Sequence, residues 1–178
     1  MVVVICLLVF VNYSFACDCG AQGNFLDLIH KESLVIHVKV LAYYGKGVKG
    51  LSAYIDNPGV LIGGHVPLAM DVEIKEVLYG KEQKKRIRVW GDDGVLCRPY
   101  VTKFPKNTEW ILNVDKVPSS KIKWEPRREK AGDYAISVCG EHWLALKDRK
   151  IIGEDFYSFP KTEMSYEEFK QRILILGK

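Results

Sequence analysis

A Cys-x-Cys sequence follows the apolar start of the chain, and it holds the residues best suited to chemistry. Ser14 and Ala16 precede Cys17 in the small-residue pattern that a signal peptidase cuts behind, so cleavage after Ala16 would make Cys17 the first residue of the mature protein. The free α-amine of Cys17, with a reference pKa of about 8, and the carbonyl oxygen of the same residue could then form a five-membered chelate on a metal ion held by another molecule. Such a site requires an exposed and rigidly held N-terminus, because rigidity lowers the ordering cost of binding.

The cysteine count indicates how this N-terminus could be held. Of the five cysteines, Cys6 leaves with the leader, while Cys17, Cys19, Cys97 and Cys139 remain. An even number of cysteines in an exported chain predicts two disulfides. A bridge between Cys17 and Cys19 would close a strained ring around one residue, which leaves two long-range pairings open. Either pairing would tie both N-terminal cysteines to distant parts of the chain and make the N-terminus rigid.

The remaining polar residues do not form a recognisable catalytic or metal-binding motif. The sequence has no Gly-x-Ser-x-Gly elbow and no Walker loop, and Asp92 with Asp93 is typical of a turn. Once the four cysteines are paired, no thiol nucleophile remains. We therefore expect a protein that is not an enzyme and has no cofactor of its own. The four histidines lack the spacing of a metal site: they are His30, His37, His65 and His142.

Residues 1–16 are predicted to be a signal peptide, and residues 17–178 a single secreted domain. The apolar run from Val2 to Val11 is too short to span a bilayer, and no later run is long and apolar enough to do so. The 26 basic and 22 acidic side chains give a net charge of +4. The basic residues concentrate at Lys84–Arg88 and Lys121–Lys130. The excess of positive charge is mild, and Lys and Arg at alternate positions of a strand are typical of a solvated face. No nucleic-acid partner is therefore expected.

Five segments are predicted to be β-strands from their apolar content or their alternation of apolar and polar residues. In the first, Ile36, Val38 and Val40 should face a core. The second and third, joined by a turn at Tyr79–Glu82, form the clearest hairpin. The five segments are Ser33–Tyr44, Met70–Leu78, Arg86–Trp90, Glu109–Val114 and Asp133–Cys139.

Helices are predicted on either side of these strands, and long loops between them. Asn24 could cap a short helix through Phe25–His30, and Ser165 with Glu168 forms a capping box that begins a C-terminal helix. Its apolar stripe comprises Tyr166, Phe169, Ile173 and Leu176. Long loops are expected at 45–67 and 116–132. The fold class is therefore mainly β, a small barrel with helices packed on it, and a five-stranded OB-type barrel fits the strand count. Periodicity alone does not distinguish such a barrel from a sandwich.

Taken in order, several of these pieces resemble the netrin-type module of the tissue inhibitors of metalloproteinases. The resemblance covers roughly residues 17–146. It rests on Cys17-x-Cys19 after the cleavage site, the strand Leu34–Val40, the hairpin segment Lys75–Gly80, Cys97, the strand Trp110–Leu112, and Ile136–Cys139. The resemblance implies a five-stranded Greek-key barrel and a protein that inhibits zinc metalloproteinases.

The same resemblance implies how the N-terminus would act. It pairs Cys17 with Cys97 and Cys19 with Cys139, and it gives Cys17 the role of presenting its amine and carbonyl to the zinc of the target protease. The second residue, Asp18, would point into the pocket for the substrate residue after the scissile bond. The implied inhibitory ridge consists of Cys17, Asp18, Cys19, Gly20, Gly94, Val95 and Leu96.

Asp18 departs from the family pattern, in which this position holds a small hydroxylated residue. Its carboxylate would be desolvated near the general-base glutamate of the protease, which would cost binding free energy on the order of several kcal/mol.

Two alternatives remain open from the sequence. One is an extracellular binding module without inhibitory activity, which would use the basic residues around Lys84 and Lys121 to bind a protein partner, the extracellular matrix or a sulfated glycan. The other is a bacterial lipoprotein in which Cys17 is acylated, since a signal peptide followed by a cysteine loosely resembles a lipobox. Acylation would leave three cysteines and therefore one without a disulfide partner.

Overall fold

The computed structural model describes residues 19, 22–47, 64–93, 96–117, 129–154 and 160–177. These ranges contain strands β1 to β8, one α-helix, α1, and a short 3-10 helix at Val101–Lys103. The strands are β1 (Leu34–Tyr44), β2 (Ala69–Tyr79), β3 (Arg86–Trp90), β4 (Glu109–Lys116), β5 (Tyr134–Ala135), β6 (Trp143–Lys147), β7 (Lys150–Ile152) and β8 (Glu163–Ser165), and the helix is α1 (Tyr166–Leu176).

Five of the strands close into a barrel. The neighbours run in the order β1, β2, β3, β5, β4, and β4 returns to pair with β1. The pairs are antiparallel except for β3 with β5, which is parallel and joins Val89 to Tyr134 and Trp90 to Ala135. The predicted five-stranded OB-like barrel with a C-terminal helix is therefore confirmed.

Alternation along the strands fills the barrel interior. Ile36, Val38 and Val40 of β1 are fully buried there, as the sequence predicted. The inward residues of β2, β3 and β4 meet them, and Phe104 packs edge-on against Trp110 and Trp143 with ring centroids 5.0 and 5.8 Å apart. This core is built from residues that face one side of each strand, which is why the period of two identified most of it.

A second apolar layer covers the outside of the barrel over β1 and β4. The two strands contribute Val35 and Ile111, both fully buried although they point away from the barrel interior. They are covered by β6, β7, the chain at Phe25 and helix α1, whose Phe169 packs edge-on against Phe25 at 5.5 Å. Alternation along β1 predicted one buried face, whereas the start of this strand is buried on both faces.

Helix α1 begins at the predicted cap. The hydroxyl of Ser165 accepts a hydrogen bond from the amide of Glu168 at 3.2 Å. Tyr166, Phe169 and Ile173 are buried as expected, whereas Leu176 is 49% exposed. The helix therefore docks through its first two turns.

Two predictions of local structure were wrong, and one part of the sheet was not predicted. Phe25–His30 forms turns rather than a helix, with bonds such as that from the Asp27 amide to the Asn24 carbonyl at 3.2 Å, because so short a segment cannot offset the cost of helix nucleation. Asp133–Cys139 pairs as a strand only at Tyr134–Ala135. Strands β6 to β8, which extend the sheet from β4, were not anticipated.

The predicted loops at 45–67 and 116–132 are described only at their ends, and the predicted signal peptide at 1–16 lies outside the described residues. In the described part of the chain, no helix has the length and apolar character needed to cross a membrane.

Candidate functional site

A disulfide joins the start of the described chain to the segment after β5. Cys19 is half-buried and bonded to Cys139, with their Cα atoms 5.2 Å apart across a separation of 120 residues. This is the pairing that the resemblance implied for these two cysteines. Cys97 is also disulfide-bonded, and Cys17, its implied partner, lies outside the described residues.

The loop that carries Cys97 meets the same segment. We call its described residues, 92–93 and 96–100, the Cys97 loop. The carbonyl of Cys97 accepts a hydrogen bond from the amide of Val138 at 3.2 Å, one residue before the bridge at Cys139. The chain after Ala135 thus leaves the sheet to bond with this loop, which explains why β5 is so short. The bridge from Cys19 and the hydrogen bond from the Cys97 loop thus reach two adjacent residues, Cys139 and Val138.

Asp92 organises the Cys97 loop, as the predicted turn at Asp92–Asp93 suggested. Its amide donates to the carbonyl of Pro99 at 3.0 Å, and its carboxylate accepts the amide of Leu96 at 2.8 Å. Tyr100 also bonds this carboxylate, and burial together with the negative charge of Asp92 raises the pKa of Tyr100. Gly91 is required beneath the turn, since a Cβ there would lie 2.5 Å from the Pro99 carbonyl.

An ion pair fixes the other side of the Cys97 loop. The guanidinium of Arg98 donates to both carboxylate oxygens of Glu129, and the side chains are only 15% and 7% exposed. Little water reaches this pair to screen it, so it holds the loop against the chain that leads into β5.

The chain after Cys19 is seated on the barrel by backbone contacts. We call residues 19 and 22–28 the N-terminal segment. The carbonyl of Gly23 accepts the amide of Glu141 at 3.1 Å, and the carbonyl of Leu28 accepts the side-chain amide of Asn113 at 3.1 Å. Gly140 has φ of 101°, and a Cβ there would lie 2.6 Å from the Leu28 side chain, so glycine permits this close approach.

A buried histidine supports the bridge at Cys139. The ring nitrogen Nε2 of His142 lies 3.2 Å from the Cys139 carbonyl and donates to it. Burial lowers the pKa of His142 below its ordinary value of 6.5, so at neutral pH the ring is uncharged. The amide of His142 also donates to the Gly140 carbonyl at 3.1 Å, which tightens the turn that follows the disulfide.

Two of the predicted ridge residues lie in the described part of the chain. Cys19 and Leu96 are described, both half-buried, and both belong to segments fixed against residues 138–139. The remaining ridge residues, Cys17, Asp18, Gly20, Gly94 and Val95, lie outside the described residues.

The residues that support the ridge could not be predicted from the sequence. Arg98 and Glu129 are 31 residues apart, and the amide of Phe25 bonds to the Glu141 carboxylate across 116 residues. No local motif marks such partners. The cysteine count was the available signal, and it indicated the tether at Cys19 but not the contacts around it.

The basic residues of β3 face carboxylates of the neighbouring strand. Arg88 forms two hydrogen bonds with Asp71, at 2.7 and 3.0 Å, and its guanidinium lies 3.5 Å from the centre of the Tyr44 ring. Arg86 is in register with Glu73. The positive charge of Arg88 is thus balanced locally by Asp71, whereas the carboxylate of Glu73 bonds the ammonium of Lys75 at 2.7 Å. Residues 118–128, which include most of the second basic run, lie outside the described residues.

Within the described ranges, no group of three or more His, Cys, Asp and Glu side chains is arranged to hold a metal ion. Comparison with protein-family models, with curated proteins and with solved structures found no match for this chain.

Proposed function

We propose that this protein is a secreted inhibitor of zinc metalloproteinases that acts by occupying the protease active site. The α-amine and carbonyl of Cys17 would bind the zinc of the protease, and Asp18 would enter the pocket beyond it. Cys19, Gly20 and the chain from Gly94 to Leu96 would flank the contact. The protein contributes a preformed ligand and performs no chemical step.

The attachment of Cys19 carries the proposal. The disulfide to Cys139 lies two residues beyond Cys17, and Val138 beside it bonds to the Cys97 loop at 3.2 Å. A terminus held this close to a covalent anchor loses little conformational entropy when it binds. A free, flexible N-terminal amine would be a weak ligand for a protein-bound metal, so the anchor is what makes the chelation plausible.

Two further observations favour this function. Disulfides at Cys19 and Cys97 suit an oxidising, extracytoplasmic compartment, in agreement with the expected secretion. The pairing of Arg88 with Asp71 makes this residue of the Lys84–Arg88 run less available to a polyanion, which counts against the glycan-binding alternative.

Titration of a panel of zinc endopeptidases tests the proposal. Protein that begins at Cys17 should abolish the activity of at least one of them at a 1:1 ratio. Such a stoichiometric end point requires a Kd well below about 1 μM. Retention on a heparin column in increasing salt is measured in parallel. Strong salt-dependent retention without inhibition of any protease would contradict the proposal and indicate a glycan-binding module.

A further inference from the structure

One buried carboxylate contacts both ends of the described chain. Glu141 is 2% exposed. Its Oε2 accepts the amide of Phe25 at 3.0 Å and the hydroxyl of Thr162, and its Oε1 accepts the amide of Thr162 at 3.1 Å. Phe25 belongs to the N-terminal segment, whereas Thr162 precedes β8. We call residues 150–154 and 160–177 the C-terminal segment.

The C-terminal segment is shaped to receive this carboxylate. Gly153 lies directly against it, and a Cβ at this position would be 1.6 Å from Glu141 Oε1. The amide of Gly153 donates to the Thr162 carbonyl at 2.7 Å, which holds Thr162 beside the carboxylate. The position can therefore accept only glycine while the carboxylate is in place.

The amide of Phe25 and the hydroxyl of Thr162 donate to the same oxygen atom, Oε2 of Glu141. This common acceptor connects the N-terminal and C-terminal segments. A buried carboxylate is stable only while its hydrogen-bond donors remain in place, because the charge is otherwise left without solvation. If Thr162 withdraws its hydroxyl, Glu141 can regain solvation by local opening to water. The N-terminal segment contacts Glu141 through Gly23 and Phe25, so opening of this segment would expose the carboxylate to water.

We propose that Glu141 is a positioning residue through which the C-terminal segment holds the N-terminal segment in place. The C-terminal segment is then more than a cover for the outer apolar layer: Thr162 controls how firmly the chain between Cys19 and Leu28 is seated. The consequence for inhibition rests on the proposed function, whereas the coupling itself does not.

Hydrogen–deuterium exchange of the full mature protein tests the coupling. Thr162→Val removes the hydroxyl without changing side-chain size, and amides in residues 22–28 should exchange about tenfold faster, the change that corresponds to about 1.4 kcal/mol. Thr162→Ser keeps the hydroxyl and should exchange like the wild type. Thr102→Val is the matched control, because Thr102 is 1% exposed and its hydroxyl has no hydrogen-bond partner among the described residues.

The pattern of exchange decides the matter. Faster exchange confined to residues 22–28 in Thr162→Val but not in Thr102→Val is the expected result. Equal acceleration throughout the barrel, or unchanged exchange at residues 22–28, would overturn the coupling. Should Thr162→Val fail to fold, Glu141→Gln provides the same test. The side-chain NH2 group of the glutamine would face a hydrogen-bond donor of either Phe25 or Thr162, so one of these hydrogen bonds would be lost.

Inhibition provides a separate readout. If the wild type inhibits a protease, Thr162→Val should inhibit it about tenfold less tightly while Thr102→Val is unchanged. A wild type that inhibits none of the proteases would contradict the proposed function, yet the exchange result would still decide whether the two segments are coupled.

Discussion

Under the proposed function, Asp18 is the residue whose side chain most directly limits which protease is bound. Its carboxylate would lose water beside the acidic general base of a metalloproteinase, which is unfavourable unless the pocket supplies a cation. We expect Asp18→Ser to bind proteases with an apolar pocket at least about tenfold more tightly, a difference of about 1.4 kcal/mol. Inhibition constants for the two proteins measure this effect.

The control for Asp18→Ser is Asp27→Ser, which removes one exposed negative charge from the N-terminal segment. It should leave the inhibition constant unchanged. A similar gain in both variants would mean that net charge, rather than the Asp18 side chain in the pocket, governs the affinity.

Arg98 is the residue that most firmly fixes the Cys97 loop. Replacing it by methionine leaves Glu129, whose side chain is 7% exposed, without this cation, and we expect a loss of about 3 kcal/mol in the free energy of unfolding. Urea denaturation of the purified variant measures this loss.

Arg149→Met provides the comparison for Arg98→Met. Arg149 pairs with Glu167, but their side chains are 74% and 61% exposed, so the loss should be less than about 1 kcal/mol. Equal losses in the two variants would show that burial of the Arg98 pair is unimportant.

At the scale of elements, helix α1 is held to the barrel by a polar contact as well as by its apolar stripe. Tyr166 donates to the carboxylate of Glu76 on β2 at 2.8 Å, and the ammonium of Lys170 also bonds it. Partial burial acts to raise the pKa of Glu76, but these hydrogen bonds outweigh it and hold the pKa below its ordinary value of 4.5.

The sign of this shift predicts a loss of helix docking in acid. Because the folded state favours the ionised form of Glu76, the contribution to stability is present above pH 4.5 and is lost as the pH falls through the lower pKa of the folded state. Glu76→Gln should therefore reduce the acid-induced loss of stability, measured by thermal denaturation across this range. Glu163→Gln, an exposed residue on β8, should behave like the wild type; identical profiles for all three proteins would contradict the assignment.

Which elements could be predicted depended on whether their hydrogen bonds were local or long-range. The hairpin of β2 and β3 and the inward residues of β1 follow from alternation, which the sequence displays directly. The segment after Ala135 also alternates, but its backbone bonds go to Trp90 at the end of β3 and then to Cys97 in the loop beyond it, so the predicted strand is mostly absent. Only the three-dimensional arrangement determines that choice.

For the whole molecule, the Cys19–Cys139 disulfide connects the candidate site to the stability of the fold. It closes a loop of 120 residues, and the chain-entropy model gives such a crosslink about 4 to 5 kcal/mol. The double variant Cys19→Ala/Cys139→Ala should lose about this much in urea denaturation, and it should inhibit less tightly because the N-terminus is no longer anchored. An unchanged denaturation midpoint would show that the tether contributes nothing to the fold.

The proposed zinc ligand is the free amine of Cys17. The decisive experiment compares the inhibition of one sensitive zinc endopeptidase by two proteins, one beginning at Cys17 and one with a single additional alanine before it. The intact masses of both are checked before and after reduction, so that each is known to carry its disulfides and no acyl group. We predict that the protein beginning at Cys17 inhibits and the extended protein does not, because the added residue displaces the amine from the metal. Equal inhibition by both would contradict chelation by Cys17.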